Sequence, residues 1–304
     1  MRVFVTGATG FVGSAIVPEL LAHGHTVVGL ARSDRSAADL ADAGAEVHRG
    51  DLHDLDSLRT GAAAADGVIH CAFVHDFSRM AAAGRTDLAA VETIGAALEG
   101  SGRPFVVTSG IGLLAPGRLA TEEDVPDPAS PGAHRAPSEA ATVALADRGV
   151  RSAIVRLPPT VHAQGDRGFV PFLIAIACEQ GVSAHIGDGA NRWAAVHRLD
   201  AACAFRLALE SAAPGSVVHA VSEEGIPTRE IAAAVGRGLG LPVTSVTPED
   251  AGGHFGWIGG FFAADIPASS AATGERLGWK PDGVGLLADL AASHYFTDAR
   301  PAAA

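Results

Sequence analysis

The chain opens Met1-Arg2-Val3-Phe4-Val5-Thr6-Gly7-Ala8-Thr9-Gly10-Phe11-Val12-Gly13, and this stretch decides the fold. Residues 3–6 read as a buried apolar strand. They run directly into Gly7-x-x-Gly10-x-x-Gly13, and residues 14–22 carry the apolar spacing of an amphipathic helix. A strand, a glycine-rich turn and a helix in this order form a seat for a dinucleotide pyrophosphate. Gly7 permits the tight turn, Gly10 lets the backbone approach the phosphates, and Gly13 lets helix and strand pack closely. The anion rests on exposed N–H groups at the positive end of the helix dipole. Thr9, Phe11 and Val12 lie between these glycines and complete the set of loop candidates for cofactor binding.

The second strand bears on which cofactor. Residues 25–31 are nearly continuous in apolar side chains, as in a parallel strand buried on both faces. An NAD site usually ends this strand with Asp or Glu, which takes the ribose hydroxyls. Here the strand ends Ala31-Arg32-Ser33. A guanidinium beside a hydroxyl suits a ribose bearing a 2′-phosphate, because Arg forms a planar, charge-assisted fork with phosphate oxygens. Arg32 and Ser33 therefore favour NADP(H) over NAD(H). The plain alternative is a solvated loop arginine with Asp34 close by.

Composition bounds the partners. A chain of 304 residues holds one large α/β domain with an added lobe. A net charge of -12 argues against nucleic acid and against anionic membranes, which both need a basic face. Cys71, Cys178 and Cys203 are too scattered for a disulfide framework or a metal-ligand spacing. The histidines show no helical ligand pair with a third partner, so no metal is expected. No signal peptide precedes the first strand, and no charge-free apolar run is long enough for a bilayer. The expectation is a soluble cytoplasmic protein that acts on a small molecule.

Strand readings at 46–51, 67–72, 104–109 and 152–157 alternate with helix readings at 56–64, 87–100 and 138–147. Such alternation predicts a doubly wound parallel sheet with helices on both faces. The loop at 115–137 carries the acidic run Glu122-Glu123-Asp124, and a long loop in a compact domain is more often functional than idle. Beyond residue 160 the pattern loosens, and Trp193, Phe255, Trp257, Phe261, Phe262 and Trp279 concentrate there. Residues 1–160, with 196–221 returning, read as the NADP-binding domain. Residues 161–195 and 222–304 read as a smaller substrate lobe.

The run 6–13 resembles the fingerprint of the extended and atypical short-chain dehydrogenase/reductases, which are NAD-dependent epimerase/dehydratase-like. Three further stations match in order. Gly50-Asp51-Leu52 resembles the turn whose Asp contacts the adenine, and His70-Cys71-Ala72 the strand end that passes under the cofactor. The segment from Arg156-Leu157-Pro158-Pro159 to His162 resembles the one packed along the nicotinamide. Residues 196–202 resemble the return element of nucleotide-sugar epimerases and dehydratases. The resemblance implies a Rossmann-type fold with a smaller C-terminal lobe, a bound NAD(P), and a homodimer. It also implies cofactor contacts at Asp51, Leu52, Cys71, Ala72, Leu157 and Pro158.

The family's catalytic Tyr-x-x-x-Lys is not in its place. The corresponding stretch is His134-Arg135-Ala136-Pro137-Ser138-Glu139. With Ser138-Glu139 set on the common Ser-Lys pair, Arg135 stands for the Tyr and Glu139 for the Lys. Tyr295 is the chain's one tyrosine. Glu139 can accept from the nicotinamide ribose, or it is a first-turn carboxylate on the helix dipole. Arg135 can polarise a carbonyl, or it is a loop cation paired with Glu122 or Glu123. His134 can supply a proton, or it is solvated. Ser109 ends the strand that faces the nicotinamide in the family. His75 and Asp76 follow a strand end that opens into the substrate cleft. His162 and His197 read as core histidines and Tyr295 as packing. The aromatic set at 255–262 is lobe core or the lining of an apolar pocket.

The leading expectation is an NADPH-dependent reductase that moves hydride to a small or medium organic carbonyl or imine without the Tyr–Lys pair. The alternatives are a non-catalytic NADP(H) sensor and, last, a nucleotide-sugar epimerase or dehydratase.

Overall fold

The strand–turn–helix unit at the amino terminus begins a regular alternation. β1 (Arg2–Thr6), α1 (Gly13–Ala22), β2 (Thr26–Ala31), α2 (Asp34–Asp42), β3 (Glu46–Arg49), α3 (Leu55–Ala63) and β4 (Gly67–His70) come first. They are followed by α4 (Met80–Leu98), β5 (Pro104–Gly110), α5 (Ala136–Ala144) and β6 (Arg151–Leu157). The computed structural model describes residues 1–76 and 79–297. Phe77, Ser78 and residues 298–304, the last of the expected lobe, lie outside the described residues.

After β6 the chain forms β7 (Thr160–His162), α6 (Phe169–Gln180), β8 (Ser183–Ile186), β9 (Arg192–His197), α7 (Arg198–Ser211) and β10 (Ser216–His219). The remainder is β11 (Glu223–Pro227), α8 (Thr228–Leu239), β12 (Val243–Val246), α9 (Ala251–Phe255), α10 (Gly259–Phe262), α11 (Ala271–Leu277) and α12 (Leu286–Ala291).

The large sheet runs β3-β2-β1-β4-β5-β6-β10, and every pairing in it is parallel. This is the order of a Rossmann-type doubly wound sheet. The winding reverses between β1 and β4, and the crevice beyond their carboxyl ends is where such sheets take a dinucleotide. On one face Ile16 and Leu20 of α1 pack with Phe205 and Leu209 of α7; on the other Phe4 packs with Leu58, Val91 and Ile94. The chain thus returns to this sheet through α7 and β10.

The other strands form a three-stranded sheet, β11-β9-β7, and a two-stranded sheet, β12-β8. Val170, Trp193, Ile231, Phe255, Phe262 and Leu290 make one core around them. Trp279 departs from the lobe aromatics: it joins the core of the large sheet, and its indole N–H donates to the Asp200 carbonyl at 3.0 Å.

Several boundaries differ from the sequence reading, for local reasons. β4 stops at His70 because the N–H groups of Cys71 and Ala72 turn to the Thr6 carbonyl and hydroxyl. α4 starts at Met80, not 87. Gly84 does not break it; a β-carbon there would fall 2.4 Å from the His134 carbonyl oxygen, so glycine permits α4 to cross that loop. α5 starts at Ala136, with Pro137 in the first turn, where a missing N–H costs nothing. The acidic run is structural. Glu122 accepts from the Thr273 N–H and hydroxyl, both at 2.7 Å, Glu123 pairs with Arg276, and Asp124 pairs with Arg118. None of the three is the partner of Arg135.

Candidate active site

The glycine loop sits at the carboxyl end of β1, against the end of β4. Gly7 has φ +68°, and a β-carbon there would lie 2.6 Å from the Ala72 nitrogen. On Gly13 a β-carbon would lie 2.0 Å from the Gly7 carbonyl oxygen. Both positions are closed to larger residues. Gly10 faces outward, and its N–H returns to Gly7 at 2.9 Å. The N–H groups of Phe11 and Val12 donate to no acceptor among the described residues. Thr9 and Gly10 are exposed beside them. Free donors at the start of a ten-residue helix fit an anion.

The other cofactor candidates surround this loop. Asp51 is exposed, and its Oδ1 accepts from the His53 N–H at 2.7 Å, which fixes the turn after β3. Leu52 packs beneath that turn. The Cys71 thiol accepts from the Thr108 hydroxyl at 3.3 Å, and burial pushes its pKa up to about 12. A thiol held in this way stays protonated at neutral pH. Leu157 ends β6 and Pro158 is buried next to it. At the end of β2, Arg32 is exposed. The Ser33 hydroxyl has a structural task, accepting from the Ser36 N–H as the cap of α2. Asp34 pairs with Arg49 of β3, so its charge is answered and does not oppose an anion beside Arg32.

The candidates for the reacting end lie beyond β5. Ser109 is 5 % exposed, and its hydroxyl has no partner among the described residues. Arg135 lies with its guanidinium 4.1 Å from the Phe73 ring centroid. Its Nη2 donates to the Thr108 carbonyl at 2.8 Å, and its Nε is buried without an acceptor among the described residues. Burial lowers its pKa, against the pull of Asp87 and then Glu139. His75 meets Phe73 edge-on at 5.3 Å, and His134 lies tilted at 5.9 Å from the same ring. Desolvation first and the Arg135 charge second hold both histidines below their ordinary pKa. The structure thus gathers Ser109, His75, His134 and Arg135 around Phe73 and the end of β5, with Asp76 following in the same loop.

Glu139 is turned away from this group. It is 3 % exposed and takes Arg156 in two hydrogen bonds, of 2.9 and 2.8 Å. Both carboxylate oxygens accept from Arg156, and their burial keeps the group away from solvent. Tyr295 donates its hydroxyl to Asp166 at 3.1 Å, and His162 is bonded to Asp289 at 2.8 Å. His197 caps α7.

Sequence reading missed Asp87 and His70. His70 links the Thr6 hydroxyl, at 2.8 Å, to Asp87, at 3.3 Å, and Asp87 stands 3.9 Å from Arg135. Burial alone would raise the Asp87 pKa. The His70 hydrogen bond and then the Arg135 charge outweigh it and leave the carboxyl below its usual value. A signal was present: Asp87 falls on the same helical stripe as Ala83, Ala90, Val91 and Ile94, and a charge on a buried stripe needs a partner.

A patch of aromatic side chains faces the loop after Ser109. A β-carbon on Gly112 would lie 3.0 Å from Phe261, whose ring is 4.7 Å from Phe169 and 5.4 Å from Trp193. Trp193 is fully buried, and its indole N–H has no partner among the described residues.

The NAD dependent epimerase/dehydratase family matches residues 3–221. The chain is 52 % identical to uncharacterized protein C2A9.02 of Schizosaccharomyces pombe over 298 residues, 97 % of this chain and 100 % of that protein. It is 29 % identical to the 2-alkyl-3-oxoalkanoate reductase of Stenotrophomonas maltophilia over 80 % of this chain and 77 % of that one. Among solved structures, MoeE5 in complex with UDP-glucose and NAD superposes with a TM-score of 0.76 at 23 % identity, covering 98 % of this chain and 99 % of its own.

Proposed function

The chain belongs to the NAD dependent epimerase/dehydratase family, and we propose that it is an NADPH-dependent reductase of small or medium, largely apolar carbonyl or imine compounds. The observation that carries this reading is the pair of buried donors at the end of β5, the Ser109 hydroxyl and the Arg135 Nε–H, neither with an acceptor among the described residues. Buried donors without acceptors are rare in folded proteins, and at a strand end beside a dinucleotide crevice they suit a substrate oxygen.

The cofactor's pyrophosphate would rest on Gly7, Thr9, Gly10, Phe11, Val12 and Gly13. The adenosine side would rest on Asp51 and Leu52, with Arg32 at the 2′-phosphate, and the nicotinamide side on Cys71, Ala72, Leu157 and Pro158. Bound there, the nicotinamide supplies hydride. The chain's own part is electrostatic. Arg135, backed by Phe73 and balanced by Asp87, stabilises negative charge as it develops on a carbonyl oxygen, the Ser109 hydroxyl supplies the second hydrogen bond, and the alkoxide takes its proton from solvent. An iminium carries its proton already and needs only the aligned site. The partly buried rings of Phe169 and Phe261, beside the loop after Ser109, support an apolar acceptor, as does a relative named for reducing 2-alkyl-3-oxoalkanoates.

The test is NADPH oxidation by the purified protein against ketones, aldehydes and cyclic imines bearing alkyl or aryl groups, with NADH in parallel. Turnover that is faster with NADPH and that falls in Ser109→Ala is the expected result. Protein that binds NADPH but turns over no member of the panel would count against a reductase and for a sensor.

A further inference from the structure

Arg198 is the first residue of α7, the helix that packs along α1. Its guanidinium carbon lies 4.9 Å from the centroid of the Phe11 ring, in the loop between Gly10 and Gly13. Its Nε is buried and has no partner among the described residues. The neighbouring charges are committed elsewhere. Asp200 accepts from the N–H groups of Asp282 and Gly283, at 3.2 and 3.1 Å. Arg206, two turns further along α7, shows the contrast, since Glu19 and Glu210 hold it at 2.7 and 2.8 Å. An aromatic face orients a guanidinium yet leaves its edge N–H groups able to donate, whereas a carboxylate would occupy them.

The loop at 7–13 has no charged side chain of its own, in a chain of net charge -12. A helix dipole offers about half a unit of positive charge, against a doubly charged pyrophosphate. We infer that Arg198 is a pyrophosphate-binding residue: a cation supplied from α7, outside the glycine fingerprint, that holds phosphates against the start of α1. Phe11 is its platform, which gives the aromatic residue in the loop a task that its backbone N–H does not. The inference rests on the dinucleotide reading of the glycine loop.

The experiment measures equilibrium binding of NADPH, NADH, ADP and adenosine to wild type, Arg198→Met, Arg198→Lys and Arg32→Met. Arg198→Met should weaken NADPH, NADH and ADP by a common factor, about tenfold or more, and leave adenosine unchanged. Arg198→Lys keeps charge without the planar stack and should recover part of the loss. Arg32→Met should weaken NADPH alone. Unchanged affinities in both Arg198 variants would overturn the inference. So would a loss confined to NADPH, which would place Arg198 at the 2′-phosphate, or an equal loss of adenosine, which would make its role structural. Failure of the wild type to bind either dinucleotide is a separate outcome, and it would overturn the cofactor reading itself.

Discussion

Two arginines stand at opposite ends of the same short span, the seam between β6 and α5 and the cleft beyond β5, and they are held in opposite ways. In the seam, Arg156 has 2 % of its side chain exposed, grips Glu139 through Nε and Nη2, and donates through Nη1 to the Asp124 carbonyl at 2.9 Å. In the cleft, Arg135 has 15 % exposed, donates to the Thr108 carbonyl at 2.8 Å, stands 3.9 Å from Asp87, and leans on an aromatic ring. A guanidinium removed from water is costly unless its N–H groups are answered. The first region answers them within the protein and is scaffold. The second leaves the Arg135 Nε without an acceptor among the described residues, and in the proposed function a substrate uses it.

The sharpest way to break this comparison is to remove one partner of the seam. Glu139→Ala leaves Arg156 buried and unpaired, and breaking such a pair costs about 3–5 kcal/mol. Urea unfolding should show a loss of that size. The Glu139→Met/Arg156→Met double variant should regain much of it, because no charge is then stranded. Near-wild-type stability in Glu139→Ala would mean that the seam is no more committed than the cleft.

Arg135→Met is the complementary change. On the proposed function it removes a donor to the developing oxyanion, and kcat should fall by about 100- to 1000-fold. Stability should move by less than about 1 kcal/mol, since Met keeps the contact with Phe73 and removes an under-answered charge. Parallel kinetics and unfolding separate the two quantities. A stability loss equal to that of Glu139→Ala, with activity per folded molecule retained, would make Arg135 scaffold as well.

The two regions were not equally legible. The glycine loop could be read because its constraints are local. Gly7 needs a positive φ and Gly13 needs an absent β-carbon, both set within a few residues. The sheet was legible through strand–helix alternation, which needs no knowledge of partners. The seam was not. Glu139 and Arg156 are 17 residues apart, and nothing in either neighbourhood names the other. A first-turn glutamate on a helix reads the same whether it faces solvent, a ribose or a buried arginine. Asp87 stayed hidden because the helix reading began at that residue, which set it at a helix end and not inside the buried stripe of α4. Trp279 was counted with the lobe because aromatic clustering in sequence does not say which core receives a ring.

The smallest expected effect concerns the third member of the seam. His219 is fully buried on β10. Its Nδ1 faces the Ser269 carbonyl at 2.8 Å and must carry the proton, which leaves Nε2 as the acceptor, 3.4 Å from Nη1 of Arg156. A second proton would set two cations side by side. Burial chiefly, with the Arg156 charge adding to it, therefore holds the His219 pKa down to about 4 from 6.5. The unfolded chain binds a proton in this interval that the folded chain refuses. Stability from His219 is thus complete above pH 6.5 and is lost as pH falls toward 4, by about 2 kcal/mol at pH 5. Urea unfolding at neutral pH and at pH 5 should give the wild type a steeper loss than His219→Gln, whose amide does not titrate. Equal slopes would show that Arg156 leaves room for a second charge, and the seam would then be less closed than its hydrogen bonds imply.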